Sequence, residues 1–440
     1  MSRYRSNASP SSWSIKLNSV RGRLATLQIG EIYLALLEIS VLLFAAEASR
    51  GAVARLGIPA VVGELLMGMA LGPYAFGPAI NAILGIQLIS LNNYVQLFAQ
   101  FSVILLIFAS GLEQGLSGLR RAGPWGFMGA VFGALLPFLG VTVAFWRGVG
   151  PSAALILGAA SAATSLAVAS AISSEVGFSG HALDFLLTAG AVDDVVSLII
   201  LSTAMAASAG SSEPSAVALI TIYYVFAWAL ISAVSISLLP RMANALGERY
   251  AFPFALLSLF GLVAAMVALG FSPIIAAYIA GVALSSSRLS SSFKRLAVGL
   301  SSLFGPLFFV IAGAEVDLRA STAYALTMAL YVTALALALK FAGVLPFAYG
   351  ATKSRAGSLA ASLGMLPRGE MGLAIALAGL SAGIIDGTMY TSAVLMVVLT
   401  TLIGSILFSI YVRRHMETVA VGAPSNGDGN ARPNAPMLYG

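Results

Sequence analysis

Two adjacent acids, Asp193 and Asp194, stand in the middle of an apolar run, Gly190-Ala-Val-Asp193-Asp194-Val-Val. An ionised side chain at the centre of a membrane helix costs about 2.5–3.5 kcal/mol on insertion scales, so acids at that depth mark ion or proton pathways. Neighbouring residues differ by about 100° around a helix, and the two carboxyls therefore face different surroundings. Their mutual repulsion, added to burial, lets one of them exchange a proton near neutral pH. Ionised, it is a hard oxygen ligand suited to a small alkali cation. The structural alternative is a pair of interhelical ion-pair partners. Lys340, in Ala-Leu-Ala-Leu-Lys340-Phe, is the one lysine deep in an apolar run, about two turns from either interface. A buried ammonium loses its proton or finds an acid, and Asp193 or Asp194 is the natural candidate. Arg368 and Glu370, in Pro367-Arg368-Gly369-Glu370, read as structural, each pairing with other buried charges. Glu64 either partners Arg368 or lines a vestibule. Glu38, Glu113, Glu315 and Asp317 lie near the ends of apolar runs and are expected to face water or headgroups.

The rest of the chain is oil. Of 440 residues 59% are apolar and only 9% are charged, against about 25% charged in soluble domains. Water could not wet such a surface, which excludes a soluble enzyme, a disordered chain and a nucleic-acid binder despite the net charge of +6. Without cysteine there is no disulfide framework or thiolate site, and two histidines are too few for an imidazole metal cluster. No cofactor is implied. The composition is that of an integral membrane protein whose partner is the lipid bilayer.

A spanning helix needs roughly 20 mainly apolar residues. The sequence predicts an all-α membrane protein with thirteen spans, near 33–53, 59–78, 94–112, 125–146, 152–173, 183–206, 216–239, 251–269, 272–288, 297–317, 322–350, 357–380 and 388–412. Connections after odd-numbered spans carry thirteen Lys or Arg residues, among them Arg50, Arg120, Arg241, Lys294 and Arg413. Those after even-numbered spans carry only Arg147 and Arg319. The positive-inside rule then puts the C-terminus in the cytoplasm and the N-terminus outside a cell (inner) membrane. A head over residues 1–30 disagrees: it holds Arg3, Arg5, Lys16, Arg21 and Arg23. It reads as an unstructured tail outvoted by later connections, with a transit peptide or an early start codon as alternatives.

Words recur across the two halves. Leu56-Gly-Ile-Pro59 with Gly68-Met-Ala-Leu71 returns as Leu269-Gly-Phe-Ser-Pro273 with Gly281-Val-Ala-Leu284, and Leu166-Ala-Val-Ala169 returns as Leu373-Ala-Ile-Ala376. Both displacements equal seven spans, and an odd number of crossings turns the second unit upside down. Two inverted six-helix repeats joined by a seventh span are a design of secondary transporters. Spans five and twelve look interrupted, by Ser161-Ala-Ala-Thr164-Ser165 and by Pro367-Arg368-Gly369-Glu370. Proline removes a backbone donor and clashes with the preceding turn. Helices broken at matching places in inverted halves point to a midplane ion site.

These residues resemble the monovalent cation:proton antiporter family, sodium/proton antiporters of the NapA and NhaA type. The words that carry the likeness are Pro59-Ala-Val-Val-Gly63-Glu64-Leu-Leu-Met-Gly68 with Gly72-Pro73, Ala191-Val-Asp193-Asp194, Gly305-Pro-Leu-Phe-Phe309, Lys340, and Pro367-Arg368-Gly369-Glu370-Met-Gly372. The resemblance implies a homodimer that exchanges sodium or lithium for protons electrogenically. Asp194 would be the principal cation and proton carrier, Asp193 would pair with Lys340 and offer a further oxygen to sodium, and Thr164 and Ser165 would lie near the ion. It divides the chain into a basic tail (1–30), a dimerisation panel (31–112 and 251–317), a mobile core (125–206 and 322–412) with a pair of broken crossing helices, a linker helix (216–239) and a short cytoplasmic tail (413–440). A potassium/proton antiporter of the same family and a sodium-coupled organic-solute symporter are the nearer rivals. An intramembrane aspartyl protease is remote, since it needs acids on two helices facing one water and a Gly-x-Gly-Asp word that does not occur here.

Overall fold

A computed structural model describes residues 30–420 apart from 56–57, 122, 177, 210–213, 318 and 320–321. The basic head before Gly30, the tail beyond Ala420 and the Leu56-Gly57 start of the first repeated word therefore lie outside the described residues. What is described is helical, without a strand: α1 (Glu31–Ala54), α2 (Ala60–Leu71), α3 (Gly77–Leu84), α4 (Asn93–Arg121), α5 (Gly123–Phe145), α6 (Pro151–Ala162), α7 (Leu166–Glu175), α8 (His181–Ala209), α9 (Pro214–Leu246), α10 (Ala251–Ala268), α11 (Pro273–Ser285), α12 (Ser290–Ala314), α13 (Thr322–Thr352), α14 (Arg355–Gly364), α15 (Glu370–Ser381) and α16 (Gly387–Ala420). Among the described residues nine helical stretches are long and apolar enough to cross a membrane. Four shorter apolar helices, α2, α6, α11 and α15, accompany them.

Proline and glycine set many of the boundaries. Pro151 and Pro273 open α6 and α11, where a missing N–H costs nothing. Gly85 closes α3 in the left-handed conformation (φ 72°). Several limits differ from those expected. The segment after residue 112, read as a connection, stays helical to Arg121 across a break at Gly115 (φ 61°). Helix α2 stops at Leu71, short of residue 78, because Gly72-Pro73 cannot continue it, and Gly77-Pro78 then starts the short α3. Helix α9 runs through Pro240 to Leu246.

Large apolar side chains such as Phe44, Val143, Phe226 and Leu257 point outward, while the interior mixes many alanines with larger side chains such as Leu65, Ile107 and Phe308. In lipid, helices gain little from burying oil against oil and associate through close backbone packing instead. Two helix pairs show this. In α2 and α12 a Cβ added at Gly68 would strike the Val310 carbonyl, and one at Gly313 would strike the Leu65 carbonyl. In α11 and α4 the same reciprocity joins Gly281 to the Phe108 carbonyl and Gly111 to the Tyr278 carbonyl. Other contacts also come in matched sets: α5 and α6 pack on α8 as α13 and α14 pack on α16, and α5 packs along α13. Gly68→Ala should push α2 off α12 and cost about 1–3 kcal/mol. The check is a lower midpoint of thermal unfolding in detergent; an unchanged midpoint would mean that the pair tolerates a wider spacing.

Candidate functional site

Both interruptions expected from the sequence are breaks in the helices. Helix α6 ends at Ala162 and α7 begins at Leu166; α14 ends at Gly364 and α15 begins at Glu370. The two extended linkers cross and bond to each other. Ser165 N–H donates to the Pro367 carbonyl (2.9 Å), and the Thr164 hydroxyl donates to the Met365 carbonyl (3.2 Å). From α16, the Thr401 hydroxyl donates to the Arg368 carbonyl.

A helix that stops in the interior leaves carbonyls without partners and a partial negative charge at its C-terminal end. Both buried cations serve the end of α6. Lys340, on α13, donates to the Ala162 carbonyl at 2.7 Å, and Arg368 donates to the Ala163 carbonyl at 2.5 Å and to Ala336 of α13 at 3.3 Å. Lys340 also binds Asp193 Oδ1 at 2.6 Å, with both side chains fully buried. Asp193 Oδ2 has no hydrogen-bond partner among the described residues. Asp194, the next residue of α8, is 3% exposed. One turn earlier on its face, the Ala191 carbonyl accepts a long bond (3.4 Å) from the Tyr278 hydroxyl of α11.

Three expectations are corrected. Among the described residues neither Arg368 nor Glu370 forms an ion pair at bonding distance: the Arg368 hydrogen bonds go to carbonyls freed by the break, and Glu370, at the N-terminal end of α15, accepts from the Ser165 hydroxyl (3.0 Å). A carboxylate at that end is favoured by the exposed N–H groups of the first turn. Glu64 is not the partner of Arg368 but of Arg50, at 2.8 Å. Glu38 does not face water: it is buried and accepts the N–H groups of Ser90 and Leu91, fixing the turn ahead of α4.

A cavity of about 1010 Å³ lies to one side of the crossing. Arg50, Glu64, Glu113, Lys294, His181 and Asp184 line it, together with Leu166, Glu370 and Ala191. Glu64 lines this cavity, the position that the other alternative gave it. The cavity brings solvent-sized space to within one helical turn of Asp194 along α8, while Asp193, Lys340 and Arg368 lie sealed behind it.

The family profile described as "Sodium/hydrogen exchanger, transmembrane" matches residues 39–414. The chain belongs to that family. It is a multi-pass membrane transporter and not an enzyme. A Na+/H+ antiporter of Enterococcus hirae is 28% identical over 368 residues, covering 82% of this chain and 93% of the relative. A Na+/H+-K+ antiporter of Bacillus cereus, GerN, is 27% identical over 380 residues, covering 83% and 93%. Among solved structures, the sodium proton antiporter MjNhaP1 of Methanocaldococcus jannaschii shares the fold with a TM-score of 0.68 at 17% identity, covering 91% of this chain and all of that one.

Sequence reasoning named Asp193, Asp194, Lys340, Thr164, Ser165, Arg368, Glu370 and Glu64, and the fold gathers all but Glu64 around the crossing. It missed Tyr278 and the Arg50–Glu64 pair. Tyr278 had a signal: it is the sole hydroxyl between Pro273 and Ser285, in a helix otherwise made of Ile, Ala, Gly, Val and Leu.

Proposed function

We propose that the protein exchanges sodium or lithium for protons across a cell membrane by alternating access, with Asp194 as the carrier. The observation that carries this reading is the pairing of a fully buried Asp193–Lys340 bridge with a second acid, Asp194, beside two crossed helix breaks and a solvent-sized cavity. Protons and sodium compete for the same carboxylate oxygens, so a loaded site is close to neutral. An empty one would drag bare negative charge through an apolar barrier. That penalty enforces exchange. In this reading Thr164, Ser165 and the second oxygen of Asp193 complete the coordination of a cation, and Arg368 and Glu370 hold the crossing in shape.

In the proposed cycle sodium enters from the cavity, binds Asp194 and loosens the Asp193–Lys340 bridge; the core then moves, sodium leaves, and two protons return. One net charge per cycle lets a membrane potential contribute about 2.3 kcal/mol per 100 mV. The matched helix contacts and mirrored glycine pairs support two inverted six-helix units joined by α9. Nine long helices, the short α2 and α11, and the broken pairs α6–α7 and α14–α15 then make thirteen crossings. In this reading α1–α4 with α10–α12 form the panel of a homodimer, and α5–α8 with α13–α16 the core. The cavity, rich in Arg50 and Lys294, faces the cytoplasm, as does the C-terminus.

The name of the Bacillus cereus relative includes potassium, so cation choice is the decisive measurement. Purified protein in liposomes should collapse an imposed proton gradient on addition of sodium or lithium, and not of potassium. Equal or better responses to potassium would assign the chain to potassium/proton exchange instead.

A further inference from the structure

Along α12 the cavity lining runs from Lys294 through Ser301 and Gly305 and ends at Phe309. One turn further on, Ala312 is buried, and its carbonyl belongs to the last turn of the helix, where too few N–H groups remain to satisfy every acceptor. The Tyr390 hydroxyl supplies the donor, at 3.0 Å. Tyr390 is fully buried in the first turn of α16. The two ends of this bond are mounted differently. The acceptor sits on a rail: at its level Gly68 of α2 comes against the Val310 carbonyl, Gly72 against the Ala314 carbonyl and Gly313 against the Leu65 carbonyl, so α12 cannot shift without taking α2 along. The donor follows a turn that holds Gly383 in the left-handed conformation (φ 68°), with the Asp386 carboxylate accepting the Met389 N–H at the start of α16. Turns at the ends of elements are where hinge motions are absorbed.

We propose that the Tyr390–Ala312 bond is a latch between core and panel, which holds the side remote from the cavity shut while the cavity is open and parts when the core moves. This rests on the exchange reading above, in which α16 belongs to the moving core and α12 to the static panel. The cavity is a gap between those two bodies, with α2, α4 and α12 on the panel side and α7, α8 and α15 on the core side. Beyond Phe309 the bodies close on each other, and Met69 and Phe308 of the panel and Val394 of the core share one buried apolar cluster with Tyr390. Apolar contact keeps water out of such a seam but fixes no spacing. A hydrogen bond is lost once its partners stand more than about 3.5 Å apart, so it makes the shut seam a discrete state rather than one point on a continuum. Placed one turn past the inner end of the cavity, the latch bears on the opening of the far side and leaves cation entry from the cavity untouched.

The test uses the full-length protein in detergent, where its lack of cysteine lets a single introduced thiol report without background. Val394→Cys puts that thiol on the face that carries Tyr390, one turn deeper and fully buried. Ala393→Cys, at the adjacent buried position, serves in its place if Val394→Cys does not fold. Ser301→Cys puts a thiol in the cavity instead. Tyr390→Phe keeps the ring and removes only the donor. With it, a water-soluble maleimide should label the thiol at position 394 about two- to tenfold faster, the effect of losing one hydrogen bond of ordinary strength. The thiol at position 301 should react no faster. Ser392→Ala removes a neighbouring hydroxyl whose acceptors, the Ala325 and Thr388 carbonyls, both lie within the core, and should change neither rate. An unchanged rate at position 394 in Tyr390→Phe, a rise at both positions, or an equal rise with Ser392→Ala overturns the proposal alone. A wild-type protein that moves no protons in liposomes in response to any alkali cation overturns the exchange reading, and this proposal with it.

Discussion

Asp194→Asn should abolish sodium-dependent proton movement, to the level of protein-free liposomes, while the protein folds and inserts as before. Asparagine is nearly the same shape and removes the charge whose burial is costly, so the fold loses nothing that packing supplies. What should disappear is the proposed capacity to hold either a proton or a cation on that oxygen pair. The measurement is gradient collapse in liposomes beside a thermal unfolding curve. Wild-type rates with an intact fold would discard Asp194 as the carrier.

The second large effect is at Lys340. Replacing it with methionine leaves Asp193 buried without its cation and frees the Ala162 carbonyl at the end of α6. Breaking one side of a buried ion pair costs about 3–5 kcal/mol, because the remaining charge has no solvent to fall back on. Thermal stability should fall by that order, and most of the loss should return in the double variant with Asp193→Asn, which leaves no orphaned charge. Transport by the single variant should slow or lose its response to an imposed membrane potential. An unchanged voltage dependence would remove Lys340 from the step that moves charge.

The acids and the lysine were legible because they break the strongest rule in the sequence, that apolar runs exclude charge. The helix breaks were legible for a similar reason: Pro367 and the hydroxylated Thr164-Ser165 pair sit where a continuous helix would not hold them. Lys340 could be matched to the acid doublet by need alone; the resemblance pointed to Asp193, and the fold places that acid at 2.6 Å. Arg368 and Glu370 were misread because charge was set against charge. The nearest unsatisfied groups are backbone carbonyls and a serine hydroxyl, which exist as partners only after the helices have stopped. Glu64 and Arg50 stand fourteen residues apart on different helices, and nothing local announces that α1 and α2 bring them together. The continuation of α4 to Arg121 escaped because its far end is polar, whereas a span is recognised by its oil.

The crossing of the two linkers also bears on how the protein is made. Ser165 and Pro367, which bond each other, and Asp193 and Lys340, separated by 147 residues, belong to opposite halves of the message. At roughly 5–20 residues per second a ribosome needs on the order of ten seconds or more to supply the second member of each pair. Until then the first half waits in the bilayer with an unstitched break and an acid lacking its lysine. A nascent chain truncated before residue 340 should therefore be the form most readily recognised by membrane quality control.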